Sequence, residues 1–241
     1  MTLLPPKIRA LAELCRVSNL PTAWMNVTTA TVLSTGGVVV DVGILVRLCL
    51  AMSALYAAGV CLNDIVDREH DAVDKPARPI PSGRVELWEA RTLVVVLFIV
   101  GLALAAQDTP PETATAALVL VGFIVAYNLL HKLNPLAIVL MGACRFLVYP
   151  TTALALGGEI LPVVGLAGMI TFSYTMAISL VARYETARQR PYQRPLVPWM
   201  LSGMPLIDGL VIAVFAGGLW PMAGGAAFLL TLVAQYRLRG D

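Results

Sequence analysis

An all-α, polytopic transmembrane bundle of about eight helices is the fold class that this 241-residue sequence predicts, on three observations. The chain is 58% hydrophobic and only 13% charged, where soluble globular chains carry about a quarter charged residues; its mean hydropathy is +0.79. Apolar runs long enough to cross a bilayer, about 17 to 25 residues each, recur along its length. Fifteen of the 17 Lys and Arg residues fall between alternate runs, the asymmetry of a multi-pass membrane protein.

Residues 1–19 are polar, basic and proline-containing, so no cleavable signal is expected and the first span should be retained. Spans are expected at roughly 20–40, 42–63, 87–106, 113–130, 136–157, 160–181, 200–217 and 219–237. Lys7, Arg9 and Arg16 precede the first, and Arg68, Lys75, Arg78, Arg84 and Arg91 follow the second. Lys132 follows the fourth, Arg183, Arg188, Arg190 and Arg194 the sixth, and Arg237 and Arg239 the eighth. Both termini and these loops are therefore expected to be cytoplasmic. The chain reads as a single transmembrane domain over 1–241, with an aspartate-rich loop region at 64–86 and a second, basic loop at 182–199. Trp24, Trp88, Trp199 and Trp220 sit near proposed helix starts, as interfacial anchors do. Cys15, Cys49, Cys61 and Cys144 show no spacing that suggests a disulfide framework or a zinc site. Membrane lipid is the expected surrounding, and no nucleic-acid partner is expected.

The segment from Asn63 to Arg84 is the most charged in the chain. If the second run continues as a helix, Asn63, Asp64, Asp67, Asp71 and Asp74 share one face, within an arc of roughly 100°. Carboxylates held that close repel one another unless a cation joins them or their pKa values rise. Mg²⁺ suits the place, because it takes a few carboxylates together with substrate phosphate oxygens, and Lys75, Arg78 and Arg84 add positive charge beside it. Pro76, Pro79, Pro81 and Gly83 then end the helix.

Other polar residues lie inside apolar runs. Asn26 in the first span needs a partner or a cavity. Arg145 lies about ten residues inside the fifth span, roughly 15 Å deep, and should line a cavity or form a locking ion pair. Asp208, near the expected start of the seventh span, suits either a helix N-terminus or an additional ligand role. His70 and His131 read as interfacial residues rather than general bases.

Asn63-Asp64-x-x-Asp67-x-x-x-Asp71, followed by Arg78-Pro-Ile-Pro-Ser-Gly83, resembles the first aspartate-rich motif of the UbiA superfamily of intramembrane prenyltransferases. Gly142-Ala-Cys-Arg145 and Ala182-Arg183-Tyr184-Glu185 are similar to its divergent EboC-like branch. The resemblance implies a UbiA-like bundle in which Asp64, Asp67 and Asp71 hold Mg²⁺ against an isoprenyl diphosphate. It places Asn63, Lys75 and Arg78 at the diphosphate, with the proline-rich loop covering it. Tyr127 and Lys132 resemble the family's Tyr/Lys element facing the diphosphate, although a membrane interface accounts for both equally. The second aspartate-rich motif is reduced to Glu185 among Arg183, Arg188, Arg190 and Arg194. Either Glu185 completes the metal site, or the arginines replace part of the metal's work by bidentate contact. Arg145 is expected at the substrate or acceptor.

The implied chemistry is ionisation of the allylic C–O bond, with capture of the cation by a lipophilic acceptor, an aromatic one being the favoured case. Two alternatives stay open: a membrane terpene cyclase, in which the cation is captured by its own double bonds, and a non-catalytic protein that binds or moves a polyprenyl lipid.

Overall fold

Prolines, glycines and a few polar caps divide this apolar chain into helices. The structure, a computed structural model, describes residues 5–37, 41–157, 159–187 and 196–238. Those residues form nine α-helices, joined by turns, and no strand. Helix α1 (Pro6–Leu14) starts on a proline, whose missing N–H costs nothing in a first turn. A 3₁₀ turn, Val17–Asn19, follows Arg16, which is held in the left-handed region at φ 46°. Helix α2 (Leu20–Thr35) ends at Gly36 at φ 60°, a conformation that glycine adopts without strain.

Helix α3 (Val42–Asp74) is capped by the Asp41 carboxylate, which accepts the Gly43 N–H. Its 33 residues make it about 50 Å long, well beyond the ~30 Å hydrocarbon thickness. The aspartate motif is thus helical through Asp74, and the loop expected from residue 64 begins at Lys75. The i, i+4 ladder absorbs the acidic run because its charges find cationic partners, described below. Helices α4 (Leu87–Ala106), opened by a Glu86/Glu89 capping box, and α5 (Pro111–Leu130) follow. Then come α6 (Ala137–Ala155), α7 (Pro162–Ala187), α8 (Leu196–Ala216) and α9 (Trp220–Arg237).

Six described helices, α3 to α8, are long and apolar enough to cross a bilayer, where eight were expected. The two that fall short have physical reasons. Helix α2 has only 16 residues, about 24 Å, and buries a threonine-rich surface against protein rather than lipid. It is the central post, packed against α3, α6, α7, α8 and α9. Helix α9 is diluted by Gly224, Gly225, Gln235 and Arg237. Both described ends of the chain lie at the aspartate end of the bundle: Arg16 reaches Asp64, and Gln235 donates to Asn19.

Two glycine contacts set the packing of α8 on α9. A β-carbon on Gly224 would lie 2.5 Å from the Pro205 carbonyl oxygen, and one on Gly209 would lie 2.8 Å from that of Trp220. The helices therefore meet backbone to backbone, with no flexible side chain to give way. Gly224→Ala is expected to cost about 1 to 3 kcal/mol, read as a lower unfolding midpoint in detergent; Gly225→Ala, whose β-carbon meets open space, serves as the neutral comparison.

Candidate active site

The aspartate face of α3 is neutralised by cations from three other segments. The loop after α3 folds back, with Val85 buried and its N–H bonded to the Pro79 carbonyl, and carries Arg78 under the helix end. One Arg78 nitrogen lies 2.6 Å from Asp71 and 3.3 Å from Asp64. Arg16 reaches Asp64 at 3.1 Å from the strained turn before α2. Such backbone strain, roughly 1 to 2 kcal/mol for a non-glycine residue, persists where the surroundings hold it. Burial opposes the charge of Arg16, but the adjacent Asp64 carboxylate outweighs it and holds the guanidinium pKa above its ordinary value. From the end of α5, Lys132 meets Asp67 at 2.7 Å. His131 bridges Asp67, at 3.2 Å, and the Asn128 carbonyl, while its ring stacks on Tyr127.

This charged mouth opens on a cavity of about 810 Å³. Its rim carries Arg16, Asn63, Tyr127, His131, Lys132 and Arg183. The walls are mostly apolar, including Met52, Leu55, Leu120, Ile124, Val148 and Ile178. Gly59 lets α5 approach closely: a β-carbon there would lie 2.9 Å from an Ile124 methyl, and Asn128 donates to the Gly59 carbonyl beside it.

Deeper in the chamber, Arg145 lines the wall, its guanidinium 5.2 Å from the centre of the Tyr56 ring. It donates to Asn26 Oδ1 at 3.0 Å and to Thr22 Oγ1 at 3.1 Å. Asn26 in turn donates to Asp208 at 2.7 Å, and Tyr149 donates to the other Asp208 oxygen at 2.6 Å. Asp208 is 1% exposed and twelve residues into α8, so it is a buried hub rather than a residue near a helix N-terminus. Arg145 thus lines the cavity, as its depth predicted.

Of the residues expected at the site, Asn63, Tyr127, Lys132 and Arg183 line the chamber, whereas Asp64, Asp67, Asp71 and Arg78 are absent from its lining and join it through the ion pairs of Arg16 with Asp64 and Lys132 with Asp67. Lys75 lies exposed just past the end of α3, with no ion pair among the described residues. Glu185 accepts the Leu196 N–H at the start of α8 and is absent from the cavity lining. Arg188 lies outside the described residues. Arg16 and the His131–Asp67 contact were missed from sequence, the first because only a left-handed turn aims Arg16 at α3. Cys15 and Cys61, whose spacing in the sequence suggested no pairing, meet with sulfurs 3.4 Å apart and help fasten α1 to α3. The hydrogen bond from Cys61 holds the Cys15 thiol below its ordinary pKa.

Among the described residues no three His, Cys, Asp or Glu side chains form a ready metal cage. Mg²⁺ does not need one, since one or two carboxylates with phosphate oxygens complete its octahedron. Asp67 and Asp71, one turn apart on α3, are such a pair; the donor set fits Mg²⁺ held jointly with a diphosphate and not alone. Mg²⁺ by itself is therefore expected to leave the melting temperature unchanged, whereas Mg²⁺ with pyrophosphate raises it, by about 2.7 kcal/mol of stabilisation at a hundredfold excess over Kd.

Fold and cavity together define a class: an integral membrane protein whose salt-bridged mouth opens into an apolar intramembrane chamber. The UbiA prenyltransferase family model matches residues 23–239, and the chain belongs to that family. The digeranylgeranylglyceryl phosphate synthase of Sulfurisphaera tokodaii is 34% identical over 98 residues, which cover 41% of this chain and 35% of that protein. That of Korarchaeum cryptofilum is 38% identical over 99 residues, 41% of this chain and 34% of its own. The matched part is thus about a third of the length of these curated relatives. A solved structure concerned with digeranylgeranylglyceryl phosphate synthase in membranes superposes with a TM-score of 0.66 at 18% identity, covering 96% of this chain and 95% of that one. A UbiA homolog from Archaeoglobus fulgidus bound to DMAPP and Mg²⁺ gives 0.59 at 14% identity, covering 94% and 85%. At these identities the two structures show a shared fold.

Proposed function

We propose that this protein is an Mg²⁺-dependent prenyltransferase that moves the prenyl group of an isoprenyl diphosphate onto a lipid acceptor with a glyceryl phosphate head. The observation that carries this reading is the union of two opposed environments in one chamber. At its rim Arg16 and Lys132 pair with Asp64 and Asp67 of the acidic face of α3; beyond them lies an apolar cavity of about 810 Å³. A diphosphate suits the first and an isoprenoid chain the second. The relatives' name supports a glyceryl phosphate acceptor in place of the aromatic one expected from sequence. The ligands of the A. fulgidus homolog support Mg²⁺ and a prenyl diphosphate.

In this reading Asp67 and Asp71, with Asp64 beside them, hold the metal, and Asn63 faces the same diphosphate. When bound, Mg²⁺ neutralises the charge of the diphosphate leaving group. Lys132, Arg16 and Arg183 on the rim take further phosphate oxygens through charge-assisted hydrogen bonds, and the apolar walls exclude the water that would otherwise hydrolyse the reacting carbon. The acceptor hydroxyl oxygen bonds to prenyl C1 as the C1–O bond to diphosphate breaks. The electron pair leaves with the diphosphate, and the hydroxyl proton passes to one of its oxygens. A guanidinium in the chamber wall, that of Arg145, repels a migrating carbocation and favours early capture by an acceptor over cyclisation. The aspartate end and both chain ends are assigned to the cytoplasmic side, where 15 of 17 basic residues fall by sequence.

The test is to incubate detergent-purified protein with Mg²⁺ and geranylgeranyl diphosphate, with and without geranylgeranylglyceryl phosphate, and to identify products by mass spectrometry. Pyrophosphate release with a doubly prenylated lipid, only when acceptor is present, is the expected result. A cyclic hydrocarbon or alcohol without acceptor would establish a cyclase instead, and no turnover in either mixture would leave a lipid-binding protein.

A further inference from the structure

The chamber has two centres of positive charge. The first is the mouth. The second is Arg145, stacked over Tyr56, and Tyr56 precedes Asp64 on the same helix by eight residues, about 12 Å.

The contacts of Arg145 are not those of a simple lock. A cation retained only to tie helices together would be expected against a carboxylate. Among the described residues none lies in ion-pair contact with this guanidinium: its partners are the neutral Asn26 and Thr22 oxygens. The nearby carboxylate, Asp208, is engaged by Tyr149 and by the amide of Asn26. Asn26 thus stands between the two charges, accepting from one and donating to the other, and fixes the orientation of Arg145. These bonds account for two of the five N–H donors of the guanidinium, on a side chain that lines the cavity. The approach to it from the rim is polar along one side: Arg16 and Asn19 line it from the turn at the chain's start, and Asn19 donates to the Tyr56 hydroxyl.

We propose that Arg145 is the specificity-determining residue for the acceptor, a second anion site that receives its phosphate while the aspartate mouth holds the donor diphosphate. This rests on the prenyl-transfer reading above and extends it. With the two anions anchored at separate places in the chamber, the acceptor hydroxyl, a few bonds from its own phosphate, is directed toward prenyl C1 between them. A neutral acceptor of the same chain length lacks that anchor.

The experiment compares geranylgeranylglyceryl phosphate with geranylgeranylglycerol as acceptors, using full-length wild type, Arg145→Gln and Arg145→Lys with Mg²⁺ and geranylgeranyl diphosphate. Binding of the unreactive geranylgeranyl thiolodiphosphate is measured alongside. Wild type is expected to prefer the phosphorylated acceptor by about 10- to 100-fold in kcat/KM, the scale of one charge-assisted contact. Arg145→Gln should reduce that preference to less than about threefold, through acceptor KM, with thiolodiphosphate affinity unchanged. Arg145→Lys, which keeps the charge but not the planar fork, should fall between them and supplies the comparison if the glutamine variant does not fold. Equal use of both acceptors by wild type overturns the proposal without touching the transfer reading. So does a preference that survives in the variants, or a parallel loss of thiolodiphosphate affinity, which would assign Arg145 to the donor. If wild type turns over neither acceptor, it is the transfer reading that fails.

Discussion

Asp67→Ala is expected to lower prenyl diphosphate turnover roughly 10³-fold, about 4 kcal/mol of transition-state stabilisation. Asp67 is central on the acidic face, one turn from both Asn63 and Asp71, and its carboxylate meets Lys132 at 2.7 Å and His131 at 3.2 Å. In the proposed reading its removal subtracts a metal ligand, and it leaves Lys132 unopposed on the rim. The two consequences act in opposite directions and can be measured separately. Turnover with Mg²⁺ should collapse, while pyrophosphate binding without metal should strengthen a few-fold, because Lys132 no longer spends its charge on a neighbour. Calorimetric titration of pyrophosphate with and without Mg²⁺, beside a turnover assay, reads both. Retention of more than a tenth of wild-type turnover would remove Asp67 from the site.

Asp208→Ala is expected to destabilise the protein by about 3 to 5 kcal/mol, the penalty for leaving a buried charge network without one member. The Asp208 carboxylate is the acceptor on which Asn26 and Tyr149 converge from α2 and α6, and Tyr149 also contacts Thr171 on α7. Without it two buried donors lose their partner, and Arg145 loses the negative charge behind Asn26. Asp208→Asn keeps the shape and one acceptor oxygen, so it should recover part of the loss. Denaturant unfolding in a fixed detergent distinguishes them, with Gly225→Ala as a neutral reference. An alanine variant within about 1 kcal/mol of wild type would mean that water takes over these bonds, and the cluster would then be accessible from the chamber.

These expectations show which parts of the molecule could be read from the chain. The acidic face was legible because a helix repeats every 3.6 residues and Asn63, Asp67 and Asp71 follow that repeat within one element. Long apolar runs likewise gave α3 to α8, although length and composition overstated α2, whose threonines face protein. What stayed hidden depends on contacts between distant segments. Asn26 and Asp208 are 182 residues apart, and only the folded bundle makes them neighbours. A signal did exist: Asn26, Arg145 and Asp208 are each polar within an apolar run, and such residues need one another or a cavity. Placing Asp208 near a helix start concealed it, since α8 begins earlier, at Leu196. Arg16 gave no signal, because its aim depends on one left-handed residue, itself.

The length of α3 carries a last consequence. A helix of about 50 Å crossing ~30 Å of hydrocarbon must emerge from it, and in the proposed orientation Asp67 and Asp71 stand level with the lipid headgroups rather than among the acyl chains. In the proposed reaction the two products then separate without a transport step: the inorganic ion is released where water already is, and the lengthened lipid is released sideways into oil. Each departs into the phase that prefers it, so the membrane boundary itself opposes the reverse reaction.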